Sequence, residues 1–221
     1  MFQKISNRSI KIKFFSKKFF IQNNLDKIDF SLIKEFNQKN FLIPNQTHSN
    51  NVIFSNKPGV IHNCDGVFTY NPKVTCLIKV ADCMPIFFAH QDLSFYGVIH
   101  AGWKGLTKGI LKETSILFTK HKLNFNEIDI YIGPSIQKCC FEVSQDIIDK
   151  FPIWSIKPRG SGKFMVNLQK IAFEELTGIG FNKTGIKISS DCSFCKKNNY
   201  YSYRRDGEKT GRMIGLISNK V

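Results

Sequence analysis

Negative charge is scarce in this chain. Only 17 acidic residues stand against 32 lysines and arginines, leaving a formal charge of +15 over 221 residues. Such a surplus raises a nucleic-acid reading, but its distribution argues against one. No run of five or more like charges exists, and the lysines scatter among Asn, Ile and Phe instead of forming a basic stripe. Long apolar runs are also missing. Met84-Pro85-Ile86-Phe87-Phe88-Ala89 is typical of the longest, far short of the ~20 residues a membrane helix needs. No N-terminal stretch has the layout of an export signal. These absences point to a cytoplasmic protein that binds neither nucleic acid nor membrane, with a positive field suited to anionic small substrates. Cysteine is modest and odd in number: seven, irregularly spaced. A disulfide framework is therefore not expected, and a minority of reduced thiols are expected to do chemistry. With no repeat, low-complexity tract or Pro/Gly/Ser linker, the simplest organisation is one domain over residues 1–221, expected as a monomer.

What is present alternates between strand and helix signals. Residues 10–20 read as a strand, 30–36 as a short helix, and 52–54, 66–69 and 74–80 as strands rich in β-branched residues. Residues 85–89 and 95–99 are two apolar runs around His90-Gln91-Asp92-Leu93-Ser94, a hairpin. Leu106, Ile110, Leu111, Thr114, Leu117 and Phe118 then repeat at helical spacing. Residues 128–132 form a further strand ended by Gly133-Pro134. Ser144 and Asn167 can each cap a helix, the second closed by Gly178 and Gly180. Residues 186–189 read as a strand, and 200–205 with 212–217 as a hairpin around Asp206-Gly207. Mixed runs of strands with a few helices predict an α+β fold with mixed sheets.

A hairpin centred on Gln91 and Asp92 pairs residues whose numbers sum to 183, which sets Cys83 opposite His100. Such neighbours lie about 4.5–5.5 Å apart at Cα, close enough to share an ion. An odd-length loop would shift the register by one. On spacing alone, an ordinary strand-to-helix turn with a satisfied histidine is the stronger reading.

The order of six segments adds to this. Asn45-Gln46-Thr47-His48-Ser49, Asp65-Gly66-Val67-Phe68-Thr69, Ala81-Asp82-Cys83-Met84-Pro85, His100-Ala101-Gly102-Trp103-Lys104-Gly105, Ile132-Gly133-Pro134-Ser135-Ile136 and Tyr203-Arg204-Arg205-Asp206-Gly207 resemble the successive motifs of the laccase-domain (YfiH-type) family, from about residue 41 onward. The resemblance implies that His48, Cys83 and His100 ligate one metal ion, zinc or copper. It also implies a fold of layered mixed sheets with flanking helices, purine nucleoside phosphorylase activity, with adenosine deaminase and methylthioadenosine phosphorylase side activities, and a link to peptidoglycan editing in bacteria. The chain departs from the family near its start. Phe15-Ser16-Lys17-Lys18-Phe19-Phe20 stands where an arginine- and glycine-rich stretch is usual, and lysine does not replace an arginine fork.

Two histidines and one cysteine leave a zinc ion one open position, as in catalytic sites. Purine nucleosides and phosphate are the expected substrates. Arg204 and Arg205 are the candidate phosphate-binding side chains, with Gly102 and Lys104 in the turn after His100 as further contacts. Asp82 can orient a histidine or move a proton, or serve only as a turn carboxylate. A lone C-x2-C at Cys192 and Cys195 does not make a zinc ribbon, and Cys139-Cys140 has the wrong spacing to complete one. Cys64 and Cys76 read as buried small residues, and His62, His90 and His121 as surface or loop histidines. Three alternatives remain: a copper polyphenol oxidase using Met84 as a weak ligand, a metal-independent hydrolase with Cys83 as nucleophile and His100 as base, and a non-enzymatic binding or scaffold protein. Five histidines are few for a multicopper centre.

Overall fold

The apolar run beginning at Met84 becomes a strand buried on both faces, and the rest of the fold is arranged around it. The computed structural model describes residues 2–3, 10–22 and 40–219. In chain order the elements are β1 (Phe2–Gln3), β2 (Ile10–Phe15), α1 (Lys17–Gln22), β3 (Phe41–Pro44), β4 (Val52–Phe54), β5 (Gly59–Ile61), β6 (Gly66–Thr69), β7 (Thr75–Val80), β8 (Met84–His90) and β9 (Tyr96–Ala101). There follow α2 (Trp103–Thr107), α3 (Ile110–Lys120), β10 (Ile128–Ile132), β11 (Glu142–Ser144), α4 (Gln145–Ile148), β12 (Ile156–Gly160), β13 (Lys163–Val166), α5 (Leu168–Ile179), β14 (Ile186–Ile188), α6 (Tyr203–Asp206) and β15 (Met213–Asn219).

Two six-stranded sheets, ordered β1-β2-β15-β7-β3-β5 and β14-β10-β8-β9-β6-β4, carry the fold, and a three-stranded sheet β11-β13-β12 stands beside them. Both large sheets mix parallel and antiparallel pairs. Side chains alternating along β8 serve two cores. Ile86 and Phe88 pack with Ile110, Leu111 and Phe118 of α3 and Leu168 and Ala172 of α5. Phe87 and Ala89 face the other sheet, meeting Ile78, Val80, Met213 and Ile217. A third cluster joins Phe20 of α1 to Leu77, Ile214 and Leu216. The layers therefore run helix, sheet, sheet, helix, and the expected α+β architecture is borne out.

Several local expectations change. The alternation from residue 10 ends at Phe15, and Lys17–Gln22 is helical. The helix expected over residues 30–36 lies outside the described residues. The periodic stretch after His100 is two helices, because Gly109 takes a left-handed φ of 82° between them. Asn167 caps α5 through a bond from the Lys170 N–H, and Gly180 ends it at φ 114°. Ser144 instead accepts a bond from Lys163 Nζ. The C-terminal hairpin is replaced by the single turn α6, capped by Ser202, followed by β15 paired between β2 and β7.

Candidate metal centre

One end of the two-sheet stack gathers the chain's chemistry. β3 and β7 finish there, β8 begins there, β9 ends there, and β15 starts there, since Met213 pairs with Val80. His48 follows β3, Asp82 and Cys83 join β7 to β8, and His100 sits near the end of β9. The β8–β9 register sums to 185, with Pro85 opposite His100 and Met84 opposite Ala101. That is two from the sequence expectation, an even shift that keeps every side chain on its face. Cys83 therefore falls beside Gly102, and a Cβ built on Gly102 would stand 2.7 Å from Cys83 Sγ. Glycine is needed at residue 102 for this close approach, not for an unusual φ.

Ligand atoms of His48, Cys83 and His100 lie within 4.8 Å of one another. The two imidazole rings stand edge to face, 4.8 Å between centroids. Asp65, which sequence reasoning passed over, holds this arrangement. Its carboxylate is fully buried and accepts the successive backbone N–H groups of Thr47, His48 and Ser49 at 3.1, 3.0 and 2.7 Å. Ser49 Oγ donates to it as well, at 2.7 Å. This nest fixes His48 at its left-handed φ of 58°, a costly conformation for a non-glycine residue. Oδ1, which also accepts the His48 N–H, meets His100 Nδ1 at 2.8 Å, which leaves Nε2 of that ring for a metal. The signal was in the sequence: an aspartate inside one of the resembling motifs, opening a strand beside that of His100.

Electrostatics match this wiring. Burial opposes ionisation of the Cys83 thiol, but the His100 charge and hydrogen bonds from both imidazoles outweigh it and bring the thiol down to about 6. Burial likewise disfavours the His100 imidazolium, yet the Cys83 thiolate and Asp65 raise it to about 9. Burial pushes Asp65 up too, but His100, Ser49 and Thr47 hold its carboxyl well below the usual range. Without metal, the centre is a thiolate–imidazolium pair. In metal-free protein, alkylation of Cys83 by iodoacetamide, followed by peptide mass analysis, should rise through an inflection near 6. An inflection near the ordinary thiol value of 9.0 would contradict the pairing.

The centre lies in a cleft of about 640 Å³ whose walls include Trp103, Phe141, Tyr203, Lys79, Arg204 and Arg212. Gly102 and Lys104 also line it. Arg204 lies over the Phe141 ring, 5.3 Å from its centroid, and spends one nitrogen on the Glu142 carbonyl at 2.7 Å. Arg205 does not line the cleft. Its guanidinium is taken up by Asp206 and by the carbonyls of Ser193, Phe194 and Tyr200. Asp82 lines the cleft but bonds Ser193 Oγ, Ser202 Oγ and the Arg204 N–H, so the histidine-orienting role belongs to Asp65. Arg212 and Lys79 were not anticipated. Lys17 sits 5.7 Å from the Tyr201 ring centroid, and neither it nor Lys18 lines the cleft.

The other histidines stand apart. His62 is exposed, and His121 contacts Tyr70 Oη at 2.8 Å. His90, expected at the surface or in a loop, is buried at the far end of β8 between Asp92 and Glu127. Cys64 and Cys76 are buried as expected. Met84 packs in the helix-side core with Ile86 and Phe88, on the face opposite Cys83. No helix among the described residues is long and apolar enough to cross a membrane.

Comparison with known proteins places this geometry in context. Residues 20–220 match the family model for multi-copper polyphenol oxidoreductase laccase. A purine nucleoside phosphorylase of Haemophilus influenzae is 34% identical over 180 residues, 78% of this chain and 71% of that one. A purine nucleoside phosphorylase of Staphylococcus aureus is 31% identical over 203 residues, 84% of this chain and 75% of that one. Among solved structures, the YfiH protein of Bacillus licheniformis superposes with a TM-score of 0.85 at 24% identity, covering 96% of this chain and 93% of its own, a likeness of fold.

Proposed function

The chain belongs to the multi-copper polyphenol oxidoreductase laccase family, and from that membership and the cleft we propose that it is a metal-dependent purine nucleoside phosphorylase. Its reaction would join a purine nucleoside and phosphate to give the free base and ribose 1-phosphate. The observation that carries this reading is the convergence of His48, Cys83 and His100 on the floor of a cleft walled by aromatic and cationic side chains.

The donor set fits a zinc ion. Two imidazoles and a readily ionised thiol are a ligand set of catalytic zinc, and Asp65 sets the tautomer of His100. When bound, such an ion supplies a Lewis acid with one open coordination position. Met84 faces away from Cys83, which favours zinc over a blue-copper arrangement.

Around that centre the chain's own groups divide the work. Arg204 keeps most of its guanidinium fork free and is anchored by Glu142 and Phe141, so it is assigned to the attacking phosphate. Arg212 and Lys79 add positive charge on the same cleft. Trp103 and Tyr203 offer aromatic faces for the base, with Lys104 5.7 Å from the Trp103 ring centroid. Deamination of adenosine and cleavage of methylthioadenosine would use the same purine-binding walls.

The test is phosphate-dependent release of hypoxanthine from inosine. Arg204→Ala should raise the apparent KM for phosphate about tenfold, as loss of a charge-assisted contact implies, with a smaller change in KM for inosine. Unchanged phosphate dependence would remove Arg204 from this role. A second reading has support of its own, because Cys83, His100 and Asp65 are also wired as a nucleophile, base and orienting carboxylate. Metal-free cysteine chemistry predicts activity that survives chelation; the phosphorylase reading predicts activity lost on chelation and restored by zinc.

A further inference from the structure

Two pairs of thiols, far from each other in sequence, meet in the fold. Cys139 and Cys140 lie in the turn after β10, and Cys192 and Cys195 in the turn after β14. β10 and β14 pair in parallel, and the pairing resumes beyond them as a bridge between Ser135 and Cys192. The two turns therefore leave the sheet side by side, and the four sulfurs lie within 4.8 Å of one another. Cys139 Sγ is 3.7 Å and Cys140 Sγ 3.2 Å from Cys195 Sγ. Sulfurs held tetrahedrally about 2.3 Å from one ion stand roughly 3.8 Å apart, whereas a disulfide needs about 2.05 Å. All four cysteines are free.

Backbone N–H groups converge on one of the four sulfurs. The Gln137 N–H donates to Cys192 Sγ at 3.4 Å, and the Cys192–Cys195 turn directs the Cys195 N–H to the same sulfur. Such N–H···S bonds stabilise sulfur that has lost its proton. Lys138, Lys196 and Lys197 are neighbours of the cysteines in the chain. Lys138 and Lys197 add positive charge beside the −2 that four thiolates and a divalent ion carry together, whereas Lys196 is paired with Asp191.

We propose that Cys139, Cys140, Cys192 and Cys195 form a second metal site, a closed tetrathiolate that takes zinc and has a structural role. Four protein ligands leave no open position, in contrast to the three at the cleft. The ion would staple two turns that build the cleft. One continues into Phe141, beneath Arg204. The other carries Ser193, whose hydroxyl bonds Asp82 beside Cys83 and whose carbonyl, with that of Phe194, anchors Arg205.

Metal analysis of the full chain, purified under reducing conditions with zinc supplied, tests the site. Wild type should hold about two zinc ions per chain, and Cys139→Ser/Cys195→Ser and His48→Ala about one each, at different sites. The cysteine double variant should also melt at a lower temperature, since a structural ion contributes folding energy. Cobalt(II) substitution keeps the test independent of that variant's folding: His48→Ala should retain the absorption bands of a tetrahedral tetrathiolate. A single zinc per chain that disappears wholly in His48→Ala, with no tetrathiolate bands, overturns the proposal. Loss of metal only from the cysteine double variant would instead fault the three-ligand centre and leave this one standing.

Discussion

Cys83→Ala is expected to lose the ion of the cleft and to lower kcat/KM for inosine phosphorolysis on the order of a thousandfold. That is equivalent to about 4 kcal/mol of transition-state stabilisation. The size follows from the number of functions the sulfur combines. It is the one anionic ligand of the set, it sits between two imidazoles, and no other cysteine is near enough to replace it. The fold should survive. Cys83 precedes β8, whose packing rests on Met84, Ile86, Phe87 and Phe88, all fully buried. The discriminating pair of measurements is metal content and thermal unfolding. Loss of one ion per chain with a melting temperature close to that of His48→Ala is the predicted outcome, and full activity in the variant without its cleft ion would contradict it.

Asp65→Ala should have the second-largest effect, and on stability as well as chemistry. The carboxylate takes three backbone N–H groups, the Thr47 and Ser49 hydroxyls and His100 Nδ1 while wholly shielded from water. Removing it leaves those donors unpaired and His100 without its buried partner, a loss on the order of 3–5 kcal/mol. Metal affinity should fall about 10–100-fold, as for other groups that orient metal ligands. The sign of the pH dependence is fixed by the lowered pKa of Asp65. Its contribution is complete above the unfolded carboxylate value of about 3.9 and is lost as pH falls below it. Chemical denaturation at neutral and acidic pH should show this slope in wild type and a reduced slope in Asp65→Asn. Equal slopes would mean that the carboxylate does not hold the nest.

Where the sequence was legible, the reason was periodicity or a motif. The apolar runs at 85–89 and 95–99 lie within β8 and β9, and the helical repeat from Ile110 to Phe118 lies in α3. The hairpin register missed by two because the turn closes at Leu93, which adopts φ 68° without a glycine to mark it. Residues 200–205 read as one arm of a hairpin around Asp206-Gly207, but Ser202 caps a turn there. Arg204 and Arg205 were equivalent in sequence, and only packing separates them: one lines the cleft while the other is consumed by carbonyls and Asp206. The four-cysteine cluster was hidden for a similar reason. Its partners are an adjacent pair and a C-x2-C brought together by a parallel bridge, a relation that no local spacing encodes. Asp65 was visible in a quoted motif, yet its role depends on strands β6 and β9 pairing so that Gly66 faces Ile99.

The most direct measurement is the rate of phosphate-dependent hypoxanthine release from inosine by protein stripped of metal and then titrated with zinc, alongside His48→Ala treated identically. The account predicts negligible turnover in stripped wild type, recovery as the ion returns to His48, Cys83 and His100, and no recovery in His48→Ala. Undiminished turnover by the stripped protein, or full recovery by His48→Ala, would contradict it.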